Sequence, residues 1–359
     1  MSKKICILGT ANLKHMTLIS LYTEHFRKAE QPFDIIYLDK YHEIEEYDAQ
    51  NLYRYELNIN KNWSFVRKLM QYWKFKKYAI DIITREKYDF IIVWNEFTAF
   101  MFADFLRKKY CHSYCVNIRD QNFNKNPYVQ YQYKKVIEKS CFSTVSSPRF
   151  VDIFPKSEYL FVHSYNEALV KELRPVEQKR DIDMPIRLMF IGRMSYPESI
   201  HKTIDALGGD KRFIIYFIGA GCDEFKDVVE KKKVDNVVIK GAFDPKDTAK
   251  LLEEADIIYS LNKENDVHSD SLLPIKLYYA IKKHIPILAY KSSYTYEYAN
   301  QHNMAIGIES KDFEQLGDII HTAYKDMSQE RITVGCVMAM KDIKDSHIKL
   351  EKSIERYML

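Results

Sequence analysis

No stretch of the 359-residue chain approaches the roughly 18 consecutive apolar residues that a membrane-spanning helix needs. The start, MSKKICILGT, lacks the apolar core and cleavage site of a secretory signal and runs straight into a strand pattern, so the chain is expected to stay in the cytoplasm. An excess of one charge is missing too, since 54 basic side chains face 50 acidic ones for a formal charge of +4. So small an excess argues against a dedicated nucleic-acid binder, and no recognisable RNA module accompanies it. Cysteines number six, and only Cys111 and Cys115 are close, with no second pair. Buried free thiols are therefore expected, rather than zinc ligands or disulfides.

What is present is an ample apolar content, 46% of residues, in a chain long enough for two cores. Apolar β-rich runs alternate with helical patterns, which is how parallel sheets built from βαβ units read. In the first half the strands are predicted at 5–8, 34–38, 90–94, 113–118, 142–145 and 160–162, with helices at 17–28, 64–85, 99–109 and 129–139. The charged stretch LVKELRPVEQKRDIDMP (169–185) breaks the pattern and reads as a linker. A second series follows, at 187–191, 213–218, 237–240, 257–260, 285–289 and 304–308, and a helix is expected over 347–359. The expected fold is α/β, with two doubly wound Rossmann-like domains, 1–168 and 186–346, facing a central cleft, and with the last helix packing back on the first domain. Ligands should bind beyond the carboxyl ends of such strands.

Several motifs sit at those ends. In FIGRMSYPES, Gly192 permits a sharp turn and Arg193 either offers its fork to a phosphate or is a surface arginine after an ordinary turn. FIGAGCDEF places Gly219 and Gly221 before a helix, half of a dinucleotide fingerprint or simply a tight turn. At Gly241-Ala242-Phe243 a flat base can approach the backbone, or Phe243 packs. In SLLPIKLYYAIKKHIPILA (271–289), Pro274 suits a first helical turn, Asp270 or Ser271 can cap nearby, and Leu277, Ala280 and Ile281 form a buried face. Lys276 opposes the helix dipole there, unless an anion lies between it and the helix end.

The order of G-R, G-x-G, G-A-F, AKLLEEADIIYSLN and then P-x-K-x-x-Y-Y-A-x-x-x-x-I-P-I-L-A resembles the donor half of GT-B retaining glycosyltransferases, family 4 in particular, over roughly residues 186–326. The resemblance implies transfer of a sugar, with retention, from a nucleotide diphosphate donor to a glycan or lipid-linked acceptor, as in bacterial surface polysaccharide synthesis. It assigns Gly192, Arg193 and Lys276 to the donor diphosphate. Asp270, Ser271, Leu272, Leu273 and Tyr279 go to the donor sugar or ribose, and Gly219, Gly221, Gly241, Ala242 and Phe243 to the base. No metal and no cofactor beyond the nucleotide sugar is then required.

This chain departs from the family pattern at informative places. Ser271 and Tyr279 stand where the two glutamates of E-x7-E are usual, and His284 replaces a glycine. The first strand is followed by GTANLKHM, with Gly9 its only glycine, and Arg119 and Asp120 fall near the catalytic histidine position, either as a working pair or as a structural one. His15 and His163 are either cleft residues or satisfied surface histidines. Two other functions stay open: a catalytically silent GT-B protein that binds glycan or escorts a transferase, and a nucleotide-sugar epimerase. From Lys61 to Tyr78, KNWSFVRKLMQYWKFKKY has no acidic residue, and Val66, Leu69, Met70 and Trp73 follow helical spacing. That face either packs on the first sheet or lies on an anionic membrane surface.

Overall fold

The computed structural model describes residues 3–60, 62–120 and 126–359, so Lys61 of the basic aromatic stretch lies outside the described residues. The chain divides into one unit of Met1–His163 with Asp345–Leu359 and a second of Ser164–Lys344.

In the first unit, β1 (Ile5–Gly9), β2 (Phe33–Asp39), β3 (Asn51–Glu56), β4 (Phe90–Trp94), β5 (Tyr114–Ile118), β6 (Phe142–Val145) and β7 (Leu160–Phe161) form a sheet. Their order is β3-β2-β1-β4-β5-β6-β7, and every pairing is parallel. The helices are α1 (Ser20–Lys28), α2 (Phe65–Glu86), α3 (Glu96–Lys109) and α4 (Pro127–Ile137). Strands β1, β2, β4 and β5 are buried at every residue, which is why they read as continuous apolar runs. Strand β3 has no such signature: NLYRYE is an edge strand, exposed or half-buried throughout. Ser64 caps α2, accepting from the Arg67 amide, and Lys87 closes it in the left-handed conformation at φ 55°. Helix α2 buries Phe75, Ala79, Ile82 and Ile83, so Val66, Leu69, Met70 and Trp73 are left exposed and do not pack on the sheet.

The second unit holds β8 (Ile186–Ile191), β9 (Phe213–Ile218), β10 (Val237–Lys240), β11 (Ile257–Tyr259), β12 (Ile287–Tyr290) and β13 (Ala305–Ile308). All are parallel, in the order β10-β9-β8-β11-β12-β13. Around them run α5 (Glu167–Val170), α6 (Pro197–Leu207), α7 (Lys226–Lys232), α8 (Thr248–Leu252), α9 (Val267–Ser271), α10 (Ile275–Lys283), α11 (Tyr294–Gln301) and α12 (Leu316–Asp326). The strand order reverses between β8 and β11, which makes that junction the topological switch point of the sheet.

Segment 169–185 belongs with this unit and is packed on it: Val170 and Leu173 are buried, and Lys179 Nζ donates to the carbonyls of Tyr324 and Met327 at 2.6 and 2.8 Å. The expected terminal helix is longer than its pattern, running as α13 over Gln329–Tyr357. Its last part, with Leu350, Ile354 and Met358, joins the core of the first unit. All six cysteines are free, and four of them, Cys6, Cys115, Cys222 and Cys336, are buried. Among the described residues no helix is long and apolar enough to cross a membrane.

Candidate nucleotide-diphosphate site

In the second unit the chain leaves β8 through Gly192, at φ 122°, a conformation open to glycine. The next strand ends at Gly219, φ 143°, where a Cβ would lie 1.8 Å from the Gly192 carbonyl oxygen. Gly192 thus makes the turn, and the missing side chain of Gly219 lets the two loops run in contact. Gly192 N–H donates to the Ile218 carbonyl and Met194 N–H to the Ala220 carbonyl, each at 3.0 Å, which carries the ladder past the strand ends. Gly221, φ 91°, turns into a short 3-10 helix against Met194, and a Cβ on Gly241 would overlap the Asp223 carboxylate at 2.0 Å. Gly219, Gly221 and Gly241, expected on the base side, thus have packing duties at the carboxyl edge. Ala242 is exposed and Phe243 half-buried.

Beyond the switch point lies a cavity of about 220 Å³, lined by Phe190 and residues 193–196 after β8, by Ser199 and Ile200, by Leu261 and Asn262 after β11, and by His268, Leu272 and Lys276. Ser199 ties its two sides together, its hydroxyl lying 3.0 Å from the Tyr196 carbonyl and 2.9 Å from that of Leu261. Arg193, in the loop after β8, and Lys276, at the start of α10, are thereby brought to one cavity from places about 80 residues apart in the chain.

Lys276 is the second residue of α10, whose N-cap, Pro274, makes no side-chain cap. Its side chain is buried, with Nζ 4.2 Å from the centroid of the Phe190 ring. Burial pushes its pKa down to about 8, with Cys222 acting in the other direction. Among the described residues no carboxylate pairs with it, nor with the exposed Arg193. A desolvated ammonium at the exposed amides of a helix N-terminus is a cationic pocket wanting an anion.

Of the positions expected at the sugar or ribose, Leu272 lines this cavity whereas Asp270, Ser271, Leu273 and Tyr279 are not on its wall. Ser271, on the short helix α9, donates its hydroxyl proton to the Val267 carbonyl at 2.6 Å. Asp270 accepts from the Ser292 hydroxyl at 3.0 Å. Tyr279 is buried, and burial raises its hydroxyl to about 12. Leu273 is core. His284, in the place of the family glycine, caps α10 in the left-handed conformation at φ 56°.

Arg119 and Asp120 belong to the first unit, just past β5. Arg119 donates from Nε to Asn117 Oδ1 at 3.2 Å and from Nη1 to the Val162 carbonyl at 3.3 Å, so it is tied to the strand ends, while Asp120 is exposed. His163 is buried, not at the surface, with its amide donating to Ser346 Oγ at 3.2 Å; His15 is exposed beside Tyr41. Ser199, Asn262 and His268 were not singled out from sequence. Their signal is that Asn262 follows β11, the strand beside β8, a neighbourhood that only the sheet order reveals.

No protein-family model and no curated protein matches this sequence. Solved structures do. Sucrose-phosphate synthase from Thermosynechococcus elongatus superposes with a TM-score of 0.74 at 11% identity, over 99% of this chain and 98% of that one. WaaG, a glycosyltransferase involved in lipopolysaccharide biosynthesis, gives 0.65 at 11% identity over 98% and 99% of the two chains. Anabaena HepE, solved in complex with UDP, gives 0.66 at 10% identity over 98% of this chain and all of that one. The two parallel-sheet units have the Rossmann-like architecture of the GT-B glycosyltransferase fold.

Proposed function

We propose that this protein is a glycosyltransferase using a nucleotide-diphosphate sugar, with the diphosphate held by Arg193, Lys276 and the amides that open α10. The observation that carries this reading is the buried, carboxylate-free Lys276 sharing a switch-point cavity with Arg193. HepE was solved with UDP and with UDP-glucose on the same fold, which favours a nucleotide sugar as donor here. In the ground state the two cations neutralise the diphosphate. As the glycosidic bond breaks, the leaving group gathers negative charge, and cations already in place stabilise it without reorganising.

The finer parts of the reading are retention, a hexosyl group, and an acceptor hydroxyl on a glycan or lipid-linked saccharide of a bacterial surface polysaccharide. Arg119 and Asp120, near the position of the catalytic histidine, are proposed as the catalytic pair on the acceptor side. The chain would meet such an acceptor at the inner face of an anionic membrane.

One observation favours a second reading, a protein that binds the nucleotide without turnover. The two positions where family glutamates are usual offer no carboxylate: Ser271 has committed its proton to a backbone carbonyl, and Tyr279 is buried off the cavity wall.

Thermal unfolding with UDP, GDP and TDP tests the donor site, and product analysis by NMR with the sugar of the nucleotide that binds tests turnover. The transferase reading predicts a raised melting temperature with at least one of them and transfer to a saccharide acceptor. No response to any of the three overturns it; binding without transfer points to the silent protein when the nucleotide sugar is recovered unchanged, and to an epimerase when NMR shows its sugar converted.

A further inference from the structure

The first unit has a feature that the donor site does not use. On α2, Val66, Leu69, Met70 and Trp73 are 64%, 44%, 52% and 63% exposed, at the i, i+3, i+4, i+7 spacing of one helix face. Tyr128 and Tyr131 on α4 are also more than half exposed. Between these helices and α3 runs a groove of about 410 Å³ walled by Leu69, Tyr72, Trp73, Phe97, Phe100 and Tyr128. Large apolar side chains at this density are not left in water on an ordinary soluble surface.

Charge states what covers them. Arg67, Lys68, Lys74, Lys76 and Lys77 flank the face, and the helix has no carboxylate before Asp81. Arg67 sits 3.9 Å from the centroid of the Trp63 ring and Lys76 5.2 Å from that of Trp73, so cations and rings share one surface. On α4, Lys135 lies 3.9 Å from the Tyr131 ring centroid, and Pro127–Ile137 contains no acid. The one carboxylate among the described residues of the groove wall, Asp104, is neutralised by Arg107 at 2.6 Å. A protein partner of mixed surface charge gains nothing from so one-sided a rim. An anionic bilayer does, because its headgroups meet the cations while its hydrocarbon meets the rings.

We infer that the α2–α4 face docks on an anionic phospholipid bilayer and that the groove takes up a lipid acyl chain. This deepens the peripheral-membrane part of the function proposed above and rests on it. Aromatic side chains anchor the face at the headgroup level, and Trp73, at once exposed and on the groove wall, follows the chain inward.

The test is flotation of the full-length protein with phosphatidylcholine vesicles, with and without phosphatidylglycerol, and with brominated acyl chains as quenchers. The chain has three tryptophans, of which Trp94 is buried, so Trp63→Phe leaves Trp73 as the exposed reporter. Binding is expected to require phosphatidylglycerol, with Trp73 quenched by bromolipid. Met70→Glu with Trp73→Glu should cut binding more than tenfold, and Lys74→Gln or Lys77→Gln about fivefold each. The melting temperature, with and without nucleotide, reports that these variants fold. No flotation with anionic vesicles, flotation without Trp73 quenching, or a dimer that the same variants dissociate would each overturn the inference. If vesicles bind while no nucleotide does, the inference stands and the donor site is what fails.

Discussion

Helix α10 carries two buried lysines seven residues apart, and they have opposite duties. Lys283, in its last turn, turns back beneath α8, where Nζ donates to the carbonyls of Leu252, Glu253 and Ala255, the latter two at 2.8 Å. Those acceptors are orphan carbonyls around the end of a short helix, so the lysine acts as a clasp. Lys276, in the first turn, has a ring and a cavity in front of it and no such acceptors among the described residues. Burial depresses both to about 8, but the charge of Lys276 is held where no described carboxylate or carbonyl pairs with it. A buried cation that stabilises the fold comes with its acceptors, and one that serves a ligand waits for them.

The sharpest way to break this comparison is to remove each amine in turn. Lys283→Met leaves the carbonyls behind α8 without a donor and should destabilise the protein by about 3–5 kcal/mol in denaturant unfolding. In the fraction that folds, the nucleotide response should survive. Lys276→Met relieves an uncompensated charge and should stabilise the ligand-free protein by about 1–3 kcal/mol while abolishing the thermal shift given by a nucleoside diphosphate. A destabilised Lys276→Met would place that lysine in the same class as Lys283.

The smallest expected effect concerns the end of the same helix. His284 holds a left-handed φ of 56°, with its carbonyl accepting from Gln329 Nε2 at 2.9 Å. His284→Gly keeps that backbone bond and removes the Cβ penalty, for a gain of about 0.5–1 kcal/mol in the denaturation midpoint. An unchanged or lower midpoint would mean that the imidazole's packing outweighs the backbone strain.

Most of the two sheets was legible because parallel strands covered on both faces must be apolar throughout. Strand β3 escaped since an edge strand with residues such as Asn51, Arg54 and Glu56 carries no such run. The first half of α13 escaped for another reason. Gly335, a weak helix former, lies within it, and a Cβ there would lie 1.6 Å from the His302 carbonyl oxygen, so the glycine admits a close backbone approach. Within the site, Arg193 and Lys276 could be found from local rules, a residue after a strand and a residue opening a helix. Ser199, Asn262 and His268 could not, since their place depends on β8 and β11 lying side by side although they are separated by two strands in sequence. For the face of α2, the pattern left packing and exposure equally open, and the choice is made by Phe75, Ala79, Ile82 and Ile83 occupying the inner side.

The central claim is that Lys276 keeps its charge for a diphosphate, and the pH dependence of binding tests it most directly. With a folded pKa of about 8, below the usual value near 10.4, the free protein gives up this proton between those pH values while the unfolded chain holds it. Ligand-free stability should therefore rise with pH across that window. Diphosphate binding has the opposite sign, because it needs the ammonium. Calorimetric titration of the nucleoside diphosphate that gives the largest thermal shift should show proton uptake near pH 8 and an affinity that falls about tenfold per unit above it. In Lys276→Met the affinity should be weak and lack this fall. Equal affinity and the same pH profile in the two proteins would contradict the account.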